Sequence, residues 1–169
     1  MKKHLFGILV LLIIIAVACN TKQEEPVTTH QSYMQDPVGI NKDGAYRVTN
    51  LEVIKGDWES KLPIVSQGVK LVDFRIEKGI TTGDEAKEFY ILIARTADKK
   101  LKAASLLELK EGKFYFDLSH ATAHDSYGNI VCIGECVEGC DPAVSFYNGT
   151  KYLNCSACAT CIKKESEMH

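Results

Sequence analysis

Six of the seven cysteines are clustered near the C-terminus, at a spacing that could support chemistry. They follow the pattern Cys-x3-Cys-x3-Cys-x14-Cys-x2-Cys-x2-Cys and are Cys132, Cys136, Cys140, Cys155, Cys158 and Cys161. An even number of clustered cysteines in an exported chain predicts a disulfide framework, because oxidising compartments favour these bonds. We therefore expect disulfides, although the sequence does not select among the pairings that six cysteines allow.

Two other chemistries fit part of the same spacing. Cys136-x3-Cys140 together with Cys155-x2-Cys158 is similar to the paired thiolates of a zinc ribbon, since tetrahedral zinc takes four such ligands. This arrangement leaves the first and last cysteines of the cluster unused. The last three cysteines have the rhythm of a ferredoxin-type ligand run, although no Cys-Pro completes it, and no βαβ context supports a thioredoxin-type redox pair. A metal-binding or thiol-redox tail remains the alternative to disulfides.

Two histidines four positions apart are the other metal candidates. His120 and His124 could reach one ion if they lay on a helix, with Asp117 and Asp125 as nearby oxygen ligands. No glutamate lies between the histidines, and the surrounding residues predict a polar loop, so we assign no metal there.

The sequence carries none of the common catalytic signatures. A G-x-S-x-G elbow, a phosphate-binding loop and a dinucleotide-binding fingerprint are all absent from it. We therefore predict a protein that is not an enzyme and that has no cofactor.

The N-terminal segment has the layout of an export signal. Met1-Lys2-Lys3 is positively charged, and an uncharged apolar run follows from Leu5 to Ala18. Crossing a bilayer takes about 20 such residues, so this shorter run has the length of a secretory-signal core. The run ends in Ala16-Val17-Ala18, directly before Cys19. These residues resemble the lipobox of bacterial lipoproteins.

This resemblance implies cleavage before Cys19, diacylation of its thiol and acylation of the new amino group. More than one acyl chain gives stable membrane anchoring, whereas a single chain is marginal. Asn20 replaces the aspartate that retains lipoproteins in the inner membrane, so we expect the outer membrane, on its periplasmic side or at the cell surface. The polar residues up to Pro37 predict an extended tether.

Composition excludes one class of partner. The formal net charge is −2, and the arginines are limited to Arg47, Arg75 and Arg95, scattered along the chain. Nucleic-acid binding usually needs a basic stripe, which this sequence lacks. The expected partners are the membrane, through the lipid, and an unidentified protein or small-molecule ligand. We expect a monomer.

The body predicts antiparallel strands. From Val69 apolar residues alternate with period two, which places Leu71 and Ile76 on opposite faces of a strand. Further strands are predicted at 89–96, 101–109 and 114–116, joined by gaps so short that only antiparallel neighbours can be connected. The run 101–109 also fits helical spacing, but we favour a strand because 114–118 would otherwise lack a neighbour.

A short helix and a hairpin complete the expected elements. The helix covers Asn50 to Lys61, with Asp57 as a candidate cap and Trp58 as a packing anchor for the sheet. Asn148-Gly149, flanked by the runs 144–147 and 150–153, predicts a hairpin, because both turn positions tolerate positive φ.

The expected fold class is mainly β, or α+β: a small antiparallel meander with a disulfide-rich C-terminal hairpin module. The expected organisation is a lipoprotein signal peptide at 1–18, a lipidated tether at 19–37, a β-rich domain at 38–128 and a cysteine-rich module at 129–169. The body resembles uncharacterised exported bacterial proteins that end in a compact cysteine-rich tail, a resemblance that implies no activity. We predict a cell-envelope lipoprotein with a non-enzymatic binding or structural role.

Overall fold

The computed structural model describes residues 32–63, 66, 68–119, 129–136 and 139–165. Within these residues the chain forms one α-helix, α1 (Leu51–Ser60), and a short 3-10 helix at Ser32–Met34. The strands in the same residues are β1 (Gly39–Lys42), β2 (Ala45–Val48), β3 (Val72–Ile80), β4 (Thr82–Gly83), β5 (Glu88–Arg95), β6 (Leu101–Lys110), β7 (Lys113–Phe116), β8 (Asn129–Ile133), β9 (Pro142–Tyr147), β10 (Thr150–Cys155) and β11 (Ile162–Glu165). The prediction of a mainly β protein is confirmed.

The larger sheet is antiparallel and is organised around β6. One edge of β6 pairs with β5, which pairs in turn with β3. The other edge pairs with β8 over its first half and with β7 over its second half. Beyond these, β1 and β2 extend the sheet from β7, and β11 pairs with β8. The run 101–109 is thus a strand, as favoured, and the predicted meander is found in β3, β5, β6 and β7.

The smaller sheet contains the predicted hairpin. β9 and β10 pair in antiparallel fashion around Asn148-Gly149. Both turn residues have positive φ, 50° and 80°, which suits a two-residue hairpin turn whose twist matches that of the flanking strands. The short strand β4 joins the other edge of β9 in a parallel pair. Short gaps require antiparallel pairing only between strands that are neighbours in sequence, and β4 and β9 are far apart in the chain.

Two hydrophobic clusters lie on opposite faces of the larger sheet. Leu101, Ala103 and Leu107 of β6 pack with α1 in the first cluster. Ala104 and Leu106 of the same strand pack with the β9–β10 hairpin in the second. Alternate residues of β6 therefore serve two cores, so this strand is apolar on both faces.

The predicted facing of β3 is wrong. Leu71 and Ile76 both pack in the first cluster, although strict alternation puts them on opposite faces. The pairing with β5 shifts between Val72 and Arg75, and Asp73 within this shift has φ 55°. A bulge inserts an extra residue and reverses the facing beyond it. Arg75 Nη1 and Arg95 Nη2 bracket the Asp73 carboxylate at 2.5 and 2.6 Å.

The predicted helix is confirmed, and its predicted cap is wrong. α1 follows Asn50, which occupies the N-cap position with φ 55°, whereas Asp57 lies inside the helix and is buried. Trp58 is the packing anchor that the sequence predicts, since its ring lies 5.7 Å from that of Phe74 between centroids. Asp57 is buried because Tyr33 and Lys61 bind its carboxylate.

Candidate functional site

The six clustered cysteines form three disulfides. Their pairs are Cys132–Cys155, Cys136–Cys158 and Cys140–Cys161, with Cα–Cα distances of 5.7, 6.5 and 5.4 Å. These separations lie in the usual range for the bond. The first three cysteines of the cluster form one trio and the last three form a second trio. The two trios pair in order, first with first, second with second and third with third, so the three loops that the disulfides close overlap. The expected disulfide-bonded C-terminal region is thus present.

The disulfides fix the smaller sheet against one face of the larger sheet. Cys132 lies on β8 and Cys155 ends β10, so their bond joins the two sheets directly. Cys132 and Cys140 belong to the second hydrophobic cluster, beside Val144 and Leu153 of the hairpin. Sulfurs that are bonded in this way do not supply the thiolates that bind zinc.

Strands from the predicted cysteine-rich module also belong to the larger sheet. β8 pairs with β6, and β11 pairs with β8. The small hairpin sheet packs onto this arrangement through the second hydrophobic cluster. The cysteine-rich segment is therefore built into the β-rich body by strand pairing, by apolar packing and by covalent bonds.

A pocket lies on the opposite face of the larger sheet, between α1, β6 and β8. Its enclosed part has room for about one water molecule. Its apolar lining includes Leu62, Ala103 and Val131, and its polar lining consists of Asp57, Trp58, Lys61 and Asn129. Small-molecule sites are far larger than this space, which suits a single bound water.

Two polar atoms in the pocket lining have no hydrogen-bond partner. Trp58 Nε1, an N–H donor, and Asn129 Oδ1, a carbonyl acceptor, are both buried. The two residues are only 5% and 6% exposed. Leaving such a group unpaired costs about 1–3 kcal/mol, and buried polar groups in native proteins are nearly always paired. Both residues line the pocket, and each has one unpaired buried polar atom.

The charged part of the lining is internally paired. Tyr33 donates its hydroxyl hydrogen to Asp57 Oδ2 at 2.6 Å, and Lys61 Nζ lies 2.6 Å from Asp57 Oδ1. Burial, followed by the hydrogen bond and the negative charge of Asp57, raises the pKa of Tyr33 far above its usual value. Tyr33 therefore keeps its proton and donates it to the carboxylate, and Asp57 and Lys61 balance each other's charge.

Several predicted positions fall outside the described residues. Cys19 and the whole leader are among them, as are His120, His124 and Asp125. Asp117 is described, and its carboxylate accepts hydrogen bonds from the backbone and hydroxyl of Ser119. Among the described residues, no group of three or more His, Cys, Asp or Glu side chains is arranged to hold a metal ion. In the same part of the chain, none of the helices combines the length and the apolarity needed to cross a bilayer.

Comparison with protein-family models, curated proteins and solved structures finds no match to this chain.

The pocket is not predicted from the sequence, although two residues signal a buried polar cluster. Ser105 interrupts the apolar run of β6, and it pairs in register with Asn129 on β8. Both residues are buried, on the face of the sheet where Asp57 and Trp58 lie. Polar residues inside apolar strands indicate a buried polar cluster. In such a cluster the need for hydrogen-bond partners, and not apolar packing alone, selects the residue type.

Proposed function

We propose that this protein is a bacterial cell-envelope lipoprotein, anchored through acylated Cys19, whose disulfide-bonded body has a non-enzymatic binding role. The lipobox-like segment before Cys19 supports the anchor. The polar residues that follow supply a tether between the membrane and the body. The body is expected to act as a monomer at the outer membrane.

The observation that carries this proposal is the set of three disulfides. Such bonds persist in oxidising compartments and are rare where glutathione and thioredoxin keep thiols reduced. All six cysteines that remain after Cys19 are paired with one another. Of the seven cysteines in the chain, the proposal thus assigns one to the lipid and six to the disulfides.

Mass spectrometry of the protein purified from bacterial membranes tests both parts. Intact mass is expected to correspond to cleavage before Cys19 with a diacylglyceryl and an acyl group added. Reduction followed by alkylation is expected to label six cysteines that are unreactive before reduction. Cys19→Ser, which removes the acylated thiol, should leave the disulfides intact and release the protein from the membrane fraction. An unacylated chain, or six thiols that react without reduction, would overturn the proposal.

A thiol-redox role is the second candidate, and the exposure of one disulfide favours it. Cys136 and Cys158 are both half-buried, whereas each other pair contains one fully buried cysteine. A substrate thiolate could attack this bond and form a mixed disulfide. The second thiol of the substrate would then resolve it, leaving the substrate oxidised and Cys136 and Cys158 as thiols.

The redox candidate is tested by incubating the oxidised protein with a reduced dithiol peptide and following peptide oxidation. The double variant Cys136→Ala, Cys158→Ala is the matched control, since it keeps the other two disulfides. Oxidation that stops in this variant would support the redox role. Equal rates for the two proteins, or no oxidation by either, would contradict it.

A further inference from the structure

We propose that the hydroxyl group of Thr160 assists thiol–disulfide exchange at Cys136–Cys158 by donating a hydrogen bond to the sulfur that leaves as a thiolate. The substrate class is a thiol in its thiolate form. This inference deepens the thiol-redox candidate and rests on it, because it names a further residue of the same site.

Thr160 lies within reach of both sulfurs of this disulfide. Its Oγ1 is 3.5 Å from Cys136 Sγ and 3.7 Å from Cys158 Sγ. A disulfide sulfur carries no hydrogen, so the hydroxyl is the donor in both contacts. Among the described residues, no other side-chain hydrogen bond reaches a disulfide sulfur. The hydroxyl therefore distinguishes this disulfide from the other two.

Backbone contacts hold Thr160 beside the disulfide. Cys161 N–H donates to Cys158 O at 3.1 Å and closes a turn that contains Thr160. This turn packs on Gly134, which directly follows β8 and whose N–H donates to Lys100 O at 3.0 Å. A Cβ at Gly134 would lie 2.6 Å from Thr160 O, so the close approach of the turn requires glycine there. The position of residue 160 is thus set by contacts on two sides.

The disulfide and the hydroxyl are accessible to a thiol in solution. Thr160 is exposed, and both cysteines are half-buried. Glu135, which precedes Cys136, is ion-paired with Lys100. An approaching thiolate therefore meets a balanced ion pair at this position and not a lone negative charge.

The exchange step balances in atoms and electrons. A thiolate attacks one sulfur and forms a new sulfur–sulfur bond to it, and the electron pair of the Cys136–Cys158 bond leaves with the other sulfur. Exchange is faster when the leaving thiol has a lower pKa, and a hydrogen bond to the thiolate lowers that pKa. Thr160 keeps its proton and donates to the sulfur that carries the new charge. A second thiolate then opens the mixed disulfide, so two substrate thiols are oxidised and both cysteines are reduced.

Thr160→Val tests this role because it removes the hydroxyl and keeps the shape of the side chain. Purified protein with intact disulfides is mixed with 2-mercaptoethanol, samples are quenched with acid, and peptide mapping gives the initial rate at which each disulfide opens. We expect Thr160→Val to open Cys136–Cys158 about three- to tenfold more slowly, with no change at Cys140–Cys161. Thr160→Ser should restore the parent rate. Thr150→Val, the same substitution on β10, should leave the rate unchanged.

The direction of the change separates this role from a packing role. If Thr160 only packed the turn, its truncation would loosen the turn and speed the opening of Cys136–Cys158 and of the neighbouring Cys140–Cys161. Faster opening, equal rates for the parent and Thr160→Val, equal slowing of both disulfides, or no recovery with Thr160→Ser would each overturn the inference. Oxidation of the dithiol peptide is measured separately, so failure of the redox candidate and failure of the Thr160 inference are distinguishable.

Discussion

Tyr33 and Asp57 are joined by a buried hydrogen bond of 2.6 Å across 24 positions of the chain. The bond ties the segment before β1 to the buried side of α1. It also fixes the carboxylate that Lys61 pairs with at the pocket wall. Local structure and the candidate site thus depend on the same side chains.

Tyr33→Phe is expected to abolish an alkaline loss of stability. The pKa of Tyr33 is raised in the folded protein, first by burial and then by Asp57, whereas in the unfolded chain it is about 10. The neutral phenol therefore stabilises the fold fully below pH of about 10, and this contribution falls as the pH rises above 10 towards the folded pKa. In that window the parent should lose up to about 1.4 kcal/mol per pH unit relative to Tyr33→Phe.

Urea unfolding of both proteins between pH 8 and 11 measures this difference directly. Comparing the two proteins cancels the titration of lysines and of other tyrosines. A constant difference in unfolding free energy across the whole range would contradict the buried, protonated Tyr33.

Gly56→Ala and Gly149→Ala are expected to change stability in opposite directions. A Cβ at either position meets no atom within 4 Å, so neither substitution creates a clash. Gly56 lies inside α1, where alanine is favoured over glycine by about 0.5–1 kcal/mol. Gly149 has φ 80° in the hairpin turn, where an alanine costs about 1 kcal/mol. Thermal unfolding should give a higher midpoint for Gly56→Ala and a lower one for Gly149→Ala.

The Cys136–Cys158 disulfide is expected to be reduced first. Cys132 and Cys140, in the other two bonds, are 0% and 3% exposed, whereas both members of this pair are half-buried. Access of the attacking thiolate limits exchange. Low concentrations of dithiothreitol followed by iodoacetamide and peptide mapping should label Cys136 and Cys158 before the other four cysteines. Uniform labelling of all six would show that accessibility does not govern reduction.

Removing the Cys132–Cys155 disulfide is expected to cost more stability than removing Cys136–Cys158. The two bonds close loops of nearly equal length, with separations of 23 and 22 residues, so each contributes about 3 kcal/mol through the unfolded chain. Cys132 is also fully buried against the hairpin, so its truncation to alanine removes packing as well. Urea unfolding of the two double alanine variants measures the difference. Equal losses would indicate that burial of Cys132 contributes nothing.

The sequence predicts the elements that depend on local periodicity and turn chemistry. The strand at 101–109 and the hairpin at Asn148-Gly149 both follow from patterns within a few residues. The bulge at Asp73, which reverses the side-chain facing of β3, does not follow from such a pattern. The alternation of apolar residues carries no sign of an inserted residue. The parallel pairing of β4 with β9 escapes prediction too, since it joins segments far apart in the chain.

The candidate site is less predictable than the fold. Cysteine spacing predicts disulfides, but their pairing depends on which strands become neighbours. Asp57 in sequence fits a helix cap, and the positions of Tyr33 and Lys61 account for its burial. The pocket requires Trp58 from one element and Asn129 from another, a juxtaposition that is set by packing of α1 on the sheet. The lipidation of Cys19 and the metal candidates His120 and His124 stay predictions.

Every disulfide joins the first three cysteines of the cluster to the last three, and this has a consequence for proteolysis. The turn at Asn148-Gly149 is exposed and lies between the two cysteine trios. Cleavage there would leave both fragments covalently linked three times over, with Cys132, Cys136 and Cys140 on one side of the cut and their partners on the other. A nicked molecule would therefore stay in one piece and separate only after chemical reduction.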